Sequence, residues 1–244
     1  MIRTLWVALN ATLATIILGA LVIGTAPLRM PGRLYGAASR LWARWVVWAS
    51  GVRVHVRGLE NIDPARPQVI VANHQSWYDV FALSSVIPKR FRFVAKKELG
   101  YIPIFGIGWK VAGHISIDRS DRVAAVASLE HAGQLVRSDG SAIVIFPEGT
   151  RSATGELQPF KKGAFMLAIH NQLDIVPVAV RGSRWVLPKG SWRVRAGPII
   201  VRFDSPVSTA GYHEGNRDAL VQEVRARIQG MLDAEEPLLT PRAS

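Results

Sequence analysis

The amino-acid sequence predicts an α/β domain with a largely parallel or mixed central sheet flanked by helices, preceded by a two-helix element that associates with membranes. Two observations lead to this fold class. From about residue 51 onward, short apolar runs rich in β-branched residues alternate with helical patterns. Before that point the chain is at its most apolar, and residues 1–59 carry seven arginines but no acidic residue.

The charge and composition of the chain indicate which partners it meets. A length of 244 residues suits one domain and a short appendage, and the formal net charge of +12 favours anionic partners. Because the basic residues coincide with apolar ones, the pattern favours anionic membrane lipids. Zinc-finger spacing and RNA-recognition signatures are missing from the sequence, so it predicts no binding to nucleic acid. The chain has no cysteine, which excludes disulfides, a thiol nucleophile and a Cys-based zinc site.

The N-terminal segment contains an uncharged run over residues 4–28. As a helix, this run extends roughly 36 Å, enough to cross a bilayer core of about 30 Å. It could span the membrane, act as a cleaved signal peptide or form half of a helical hairpin that enters one leaflet. Pro27 and Pro31 break the first helix, and a second helical pattern follows over residues 33–50, which favours the hairpin.

The second helical pattern is amphipathic and basic. Arg33, Arg40 and Arg44 fall on one face, whereas tryptophan and leucine side chains fall on another. Such a helix suits the lipid headgroup level of a membrane, although it could also pack on the protein core.

The body of the chain alternates between predicted strands and helices. The predicted strands lie at residues 52–57, 68–72, 91–95, 114–117, 142–146, 175–180 and 192–203, and the predicted helices at residues 77–86, 120–137, 163–170 and 219–231. Pro177 within the sixth strand suggests a sheet edge or a bulge. In α/β sheets, ligands bind outside the carboxyl ends of the strands, so the segments that follow the strands are the candidate sites.

The first candidate segment follows the strand at residues 68–72. Ser76 is a good helix N-cap, and Asp79 three residues later completes a capping-box pattern. Asp79 could only cap the helix, or its carboxylate could also hold one ring nitrogen of His74. In the second case the other nitrogen is free to take a proton, as a general base requires.

Two further segments supply cations and glycines. Lys96 opens a segment over residues 96–119, whose glycines allow backbone to approach a ligand. Residues 146–152 read Phe-Pro-Glu-Gly-Thr-Arg-Ser, in which Arg151 offers a planar fork that matches phosphate oxygens. Glu148 could bind a hydroxyl or fix the arginine. Taken singly, each segment is also consistent with ordinary turns and solvated charges.

Together these segments resemble the four blocks of the glycerolipid acyltransferase family whose namesake is 1-acyl-glycerol-3-phosphate acyltransferase. His74 and Asp79 match its His-x-x-x-x-Asp block, and residues 146–152 match its Phe-Pro-Glu-Gly-Thr-Arg-Ser block. Residues 96–119 and 175–180 resemble the second and fourth blocks, and all four occur in the family's order.

The resemblance implies an acyl transfer. His74 is then the base on the sn-2 hydroxyl of lysophosphatidate, which attacks the thioester carbonyl of a fatty acyl donor, and Asp79 orients His74. The acceptor phosphate is implied to bind Arg151 and Lys96, and the glycerol backbone Glu148. The full set of implied substrate-binding residues is Lys96, Glu148, Gly149, Thr150 and Arg151. The family carries no metal or bound cofactor, and its relatives place a two-helix element in one membrane leaflet.

The predicted organisation is a membrane-associating hairpin at residues 1–50, an acyltransferase domain at residues 51–235 and a frayed tail at residues 236–244. We expect monotopic or single-span association with the cytoplasmic face of the inner membrane or an equivalent membrane, where acyl donors are made. The donor is acyl-CoA or acyl carrier protein, since positive charge attracts both. Histidines outside the blocks are expected to have no catalytic role; they are His55, His114, His131, His170 and His213.

Two alternatives stay open. The same chemistry could serve another acceptor, such as glycerol-3-phosphate, another lysophospholipid or a lyso-aminolipid. A more distant alternative is a membrane-surface protein without catalytic activity.

Overall fold

The computed structural model describes residues 1–28, 32–118 and 120–234. Its helices are α1 (Ile2–Thr25), α2 (Gly32–Ser50), α3 (Trp77–Val86), α4 (Phe105–Val111), α5 (Arg122–Asp139), α6 (Gly163–Asn171), α7 (Ser183–Val186) and α8 (Arg217–Asp233). Its strands are β1 (Arg53–Arg57), β2 (Gln68–Ala72), β3 (Phe91–Lys96), β4 (Ile115–Ile117), β5 (Ala142–Ile145), β6 (Asp174–Arg181) and β7 (Pro198–Phe203). The predicted tail at residues 236–244, Arg119 and the side chain of Arg33 lie outside the described residues.

The strands form a seven-stranded mixed sheet in the order β1-β7-β6-β2-β5-β3-β4. Strands β6, β2, β5, β3 and β4 are parallel, and β7 pairs antiparallel with β6 while it runs parallel with β1. The predicted α/β fold class is therefore confirmed. The carboxyl ends of β2, β3, β5 and β6 meet at one edge of the sheet, which brings the segments after them together.

Helices cover both faces of the sheet. In β2, Val69 and Val71 belong to a core cluster with residues of α5, α6 and α8, whereas Ile70 and Ala72 belong to a second cluster with residues of α3. All five residues of β2 are buried, since side chains that alternate along a strand meet a helical layer on each face.

Strand β6 holds Pro177 in the interior of the sheet, between β7 and β2. The prediction that this proline marks an edge strand is wrong. The predicted alternative, a bulge, agrees with the pairing on the β7 side. There the register shifts by one residue between the Val178–Phe203 pair and the Ile175–Val207 bridge, so an interior strand tolerates a residue without an N–H.

The last predicted strand is shorter than expected. Only Pro198–Phe203 is a strand, and residues 192–197 form neither strand nor helix. The backbone N–H of Arg195 donates to the carbonyl of Val186 at 2.9 Å, so this part of the chain closes a loop on α7 rather than joining the sheet.

Helices α1 and α2 pack against each other as a hairpin. Two indole N–H groups of α2 bond side chains of α1: Trp42 Nε1 donates to Thr15 Oγ1 at 3.0 Å, and Trp45 Nε1 donates to Asn10 Oδ1 at 3.0 Å. Two of the four N-terminal tryptophans thus fasten the hairpin, while the other two expose large fractions of their surface, 48% for Trp6 and 68% for Trp48.

Two arginines of α2 donate hydrogen bonds to backbone carbonyls of the protein. Arg40 Nη1 donates to the carbonyl of Lys89 at 2.9 Å, and Arg44 Nε donates to the carbonyl of Ser85 at 3.0 Å. These carbonyls lie at and just beyond the C-terminal end of α3, where a cation is favourable. Both arginines thus contact the protein through backbone carbonyls, which agrees with the alternative of packing on the protein core, while Arg44 is also exposed and the headgroup-facing surface stays a prediction.

Helix α1 exposes much of its apolar surface. Residues Ile2–Leu28 are long and apolar enough to cross a membrane. Leu5, Leu9 and Ile17 each expose more than half of their surface. Length and composition do not by themselves separate a membrane helix from a core helix or a signal sequence, so the hairpin's depth in a membrane stays a prediction.

Candidate active site

The side chains of His74 and Asp79 meet beyond the carboxyl end of β2. His74 Nδ1 lies 2.9 Å from Asp79 Oδ2, and the same carboxylate oxygen accepts backbone N–H bonds from Gln75 at 2.6 Å and Ser76 at 2.8 Å. Asp79 is fully buried, whereas His74 keeps 15% of its side chain exposed. The carboxylate is therefore held rigidly behind the ring, and the ring reaches the surface.

The contacts of Asp79 decide the tautomer of His74. Since Asp79 Oδ2 accepts two backbone N–H bonds, it acts as an acceptor toward the ring as well, and we assign the ring proton to Nδ1. Nε2 is then the nitrogen with the free lone pair. Ser76 and Asp79 also form a complete capping box at the start of α3. Asp79 thus does both tasks that the sequence left as alternatives: it caps the helix and it holds the ring.

Glu148 lies beneath the His74 segment. Its Oε1 accepts the backbone N–H of His74 at 2.6 Å, and its Oε2 accepts the backbone N–H of Gln158 at 3.0 Å. Only 4% of Glu148 is exposed, and it is not among the residues that line the adjoining cavity. The resemblance implied that Glu148 binds the glycerol backbone, but the structure does not place it there. Both of its oxygens instead accept backbone N–H groups, one from His74 and one from Gln158.

Burial dominates the electrostatics of Glu148. It raises the pKa of this carboxyl to about 7, since loss of solvent outweighs the two backbone hydrogen bonds that favour the charged form. The nearby Asp79 carboxylate raises this pKa further.

Two residues that were not among the predicted site residues also fix His74. Asn73 bridges β2 to β6, because its side chain donates to the carbonyl of Val180 at 2.9 Å and accepts the N–H of the same residue at 2.7 Å. The ring of Phe146 stacks on the ring of His74, with centroids 4.1 Å apart and 15° between the planes. Asn73 directly precedes the His-x-x-x-x-Asp block and Phe146 is the first residue of the block at residues 146–152, so their strand-end positions were the available signal.

A cavity of about 810 Å³ opens beside His74. One part of its wall is polar and comes from the predicted binding residues, namely Lys96, Gly149, Thr150 and Arg151. The structure thus brings these four together with His74, and Glu148 is the predicted binding residue that it leaves out. Arg151 is steadied by Trp77, whose ring centroid lies 5.1 Å from the guanidinium carbon.

The remaining wall of the cavity is largely apolar. It is formed by α1, α2 and α4 and by the strand-end aromatics, including Thr15, Gly19, Trp42, Phe93, Phe105 and Trp109. His114 also lines this part, where burial and the charges of Arg92 and Arg90 lower its pKa to about 3, so this ring is neutral. A cavity whose lining combines Lys96 and Arg151 with many apolar side chains suits an amphiphile that carries an anionic group.

The loop of Gly149–Arg151 is held by a lysine that the sequence did not identify. Lys189 Nζ donates to the carbonyl of Arg151 at 2.8 Å. Gly149 has φ of +71°, a left-handed conformation that residues with a Cβ atom rarely adopt, so the loop favours glycine at this position. Among the described residues, no group of three or more His, Asp or Glu side chains is placed to share a metal ion.

Comparison with known proteins agrees with this arrangement. The sequence model of the Acyltransferase family matches residues 53–181. A 1-acyl-sn-glycerol-3-phosphate acyltransferase of Pseudomonas aeruginosa is 31% identical over 98% of this chain and 92% of its own length. The enzyme of the same name from Cocos nucifera is 34% identical over 86% of this chain and 67% of its own length.

A solved structure has the same fold. The crystal structure of the 1-acyl-sn-glycerophosphate (LPA) acyltransferase PlsC from Thermotoga maritima superimposes with a TM-score of 0.81 at 26% identity, and the match covers 96% of both chains. The family match spans β1 through β6 and includes the residues of the His74 site described above, except Lys189 and the part of the cavity wall formed by α1 and α2. On these grounds, the chain belongs to the 1-acyl-sn-glycerol-3-phosphate acyltransferase family.

Proposed function

We propose that this protein transfers a fatty acyl group from an acyl thioester to the sn-2 hydroxyl of 1-acyl-glycerol-3-phosphate, giving phosphatidic acid for phospholipid synthesis. The observation that carries the proposal is that His74, backed by Asp79, lines the same cavity as Lys96 and Arg151. A general base and two cations in one cavity suit an acceptor that carries both a hydroxyl and a phosphate.

The proposed reaction begins with proton transfer to His74. Nε2 takes the proton of the acceptor hydroxyl as its oxygen attacks the thioester carbonyl carbon, and Asp79 stabilises the resulting imidazolium. The carbon–sulfur bond then breaks, and the proton on Nε2 passes to the departing thiolate. His74 handles both proton transfers, so no resident cofactor enters the proposal, and the acyl thioester of CoA or acyl carrier protein is a co-substrate.

The two ends of the cavity receive different parts of the substrates. Lys96 and Arg151 bind the acceptor phosphate, and Gly149 and Thr150 face it from the same loop. Glu148 acts as a positioning residue, because its carboxylate holds the backbone of His74. The apolar part of the cavity takes an acyl chain, whose burial is favourable by about 0.8 kcal/mol per CH₂.

The proposed location is a membrane surface on the cytoplasmic side, with the α1–α2 hairpin as the anchor. The support is the exposed apolar face of α1 and the opening of the cavity beside this helix. A lipid acceptor can then enter without crossing bulk water.

A screen of acceptors and donors on detergent-solubilised protein tests this function. Each acceptor, namely lysophosphatidate, glycerol-3-phosphate, lysophosphatidylcholine and a lyso-aminolipid, is paired with acyl-CoA or acyl carrier protein, and the products are identified by mass. We expect phosphatidic acid as the main product, acylated at sn-2. Faster transfer to any of the other three acceptors than to lysophosphatidate would overturn the proposed acceptor, and no transfer to any acceptor would overturn the activity.

A further inference from the structure

The segment between β6 and β7, residues 182–197, carries an unusual combination of side chains. It contains four basic residues and no acidic one. Its two tryptophans are exposed, Trp185 by 60% and Trp192 by 57%. We refer to residues 182–197 as the basic loop. Exposed apolar side chains that are grouped and rimmed by polar residues mark interaction sites, so two exposed rings on one short basic loop indicate a contact surface.

Hydrogen bonds and buried side chains hold the backbone of the basic loop in place, and its two tryptophans point outward. Leu187 accepts a hydrogen bond from Ser76 Oγ at 2.8 Å, directly beside the His74 segment. Val186 is fully buried in the core, and Leu187 and Val194 pack partly buried against the same cluster. The apolar side chains that the fold can bury are therefore already buried, and the two tryptophans are the ones it presents.

Each exposed tryptophan is paired with a guanidinium. Arg195 lies 4.7 Å from the ring centroid of Trp185, and Arg193 lies 5.9 Å from that of Trp192. A flat aromatic ring beside a cation suits the headgroup level of a bilayer, where the ring meets the acyl boundary and the cation meets lipid phosphates.

The basic loop is continuous with the apolar surface of α1. The backbone N–H of Val194 donates to Thr4 Oγ1 at 3.1 Å, in the first turn of α1. From there the exposed side chains of Leu5 and Leu9 lead along the helix, with 63% and 54% of their surface exposed. On its other side the loop reaches the cavity mouth, where Lys189 bonds the carbonyl of Arg151.

We propose that the basic loop is a second membrane contact, separate in sequence from the N-terminal hairpin, which places Trp185 and Trp192 at the headgroup level of an anionic phospholipid bilayer. With α1 on one side and the basic loop on the other, the cavity mouth faces the bilayer. The choice of a membrane over an acidic protein rests on the exposed rings and their continuity with α1, since charge alone would suit either partner. This contact goes beyond the proposed function and does not depend on which acceptor is used.

Spin labelling tests the proposal on the full chain, which contains no native cysteine to remove. Three single variants carry a nitroxide: Trp192→Cys in the basic loop, Leu9→Cys on α1 and Val123→Cys on α5, where 79% of the valine is exposed. Each labelled protein is reconstituted into vesicles of phosphatidylcholine with phosphatidylglycerol. The accessibility of the label to oxygen, which concentrates in the bilayer, is compared with its accessibility to a water-soluble nickel chelate.

The expected result is that the label at position 192 favours oxygen over nickel, like that at position 9 and unlike that at position 123. A label at position 192 that matches the one at position 123 would overturn the membrane contact, and it would do so whether or not the protein acylates lysophosphatidate. An aqueous label at position 192 that is shielded only when acyl carrier protein is added would assign the loop to a protein partner instead.

A charge variant tests the lipid class. Arg193→Gln is expected to reduce the preference for anionic over zwitterionic vesicles about fivefold, the effect of one basic residue near an anionic surface. The matched control is Arg66→Gln, for which we expect no change. Arg66 is an exposed arginine just before β2, at the end of the strand opposite to the active site. Equal effects of the two variants would refute a specific role of the basic loop.

Discussion

Replacement of Asp79 by asparagine separates the negative charge of this residue from its hydrogen bonds. In the native protein, Oδ2 accepts three N–H bonds, from the His74 ring and from the backbone of Gln75 and Ser76, whereas Oδ1 is buried and has no hydrogen-bond partner among the described residues. The two backbone donors cannot turn away. In Asp79→Asn they therefore fix the amide oxygen at the position of Oδ2, and the amide nitrogen takes the place of Oδ1.

The proton therefore stays on His74 Nδ1 in this variant, and Nε2 keeps its lone pair. What the variant lacks is the negative charge that stabilises the imidazolium. Two opposite charges about 4 Å apart attract by about 4 kcal/mol at the effective dielectric of a protein site, so we expect kcat to fall roughly a thousandfold. We expect no additional fall in kcat from a wrong tautomer of the His74 ring, because the backbone donors fix the orientation of the amide.

The stability of the same variant should change less. The neutral amide oxygen keeps three acceptor contacts, and the buried amide nitrogen lacks an acceptor, which costs about 1–3 kcal/mol of the free energy of unfolding. The comparison variant is Asp79→Ala, which removes the acceptor of all three donors and should destabilise the protein more. The assays are steady-state acyl transfer and denaturant unfolding in the same detergent. Asp79→Asn with kcat within a few-fold of the native value would refute the charge-stabilising role and leave Asp79 as a residue that orients the ring and caps the helix through hydrogen bonds alone.

Three further variants test other parts of the account. Glu148→Gln should change the pH dependence of stability. Because burial raises the native pKa of Glu148 to about 7, the free energy of unfolding of the native protein should fall by up to about 3 kcal/mol as pH rises from about 4.5 to 7. The glutamine of the variant does not titrate in this range. Urea unfolding of both proteins at the two pH values checks this. An equal change in the free energy of unfolding between these pH values for the native protein and the variant would contradict it. Arg151→Gln should raise KM for a phosphorylated acceptor about 10- to 100-fold with a smaller effect on kcat, since a charged hydrogen bond contributes about 1.5–3 kcal/mol. Steady-state kinetics that show a fall in kcat alone would contradict phosphate binding by Arg151. Trp45→Phe leaves the buried Asn10 oxygen without its donor and should cost about 1–2 kcal/mol of stability, measured by unfolding in detergent, and an unchanged stability would show that this bond does not fasten the hairpin.

The location of the site could be predicted from the sequence because it follows from strand direction. The buried runs before His74 and before the block at residues 146–152 predict parallel strands, and the carboxyl ends of parallel strands meet at one edge. The capping box of α3 was equally readable, since Ser76 and Asp79 lie three residues apart. Local spacing and strand order are properties that a sequence carries directly.

The partners of individual side chains could not be predicted in the same way. Glu148 accepts a backbone N–H from His74, which lies 74 residues earlier, and nothing in the local pattern distinguishes such a buried carboxylate from one that faces a substrate. The arginines of α2 show the same limit. Periodicity places Arg40 and Arg44 on one face of the helix, but only the packing of α2 on α3 decides that this face meets backbone carbonyls.

The error at residues 192–197 has a similar cause. An alternating pattern predicts a strand, yet alternation also arises where a fixed loop buries one side chain and exposes the next. Here Val194 packs inward while Trp192 points to solvent. The choice between the two structures is made by the hydrogen bond from Arg195 to Val186, which depends on the position of α7.

The central claim is that His74 is the base in acyl transfer, and the most direct measurement is the rate of phosphatidic acid formation by His74→Ala. The control is His131→Ala, which removes an exposed histidine of α5, with the folding of both variants verified by thermal unfolding. We predict that the His74 variant is slower than the native protein by about 10²- to 10⁴-fold, the usual contribution of a general base, whereas the control keeps native activity. A correctly folded His74→Ala protein that forms phosphatidic acid at the native rate would contradict the account.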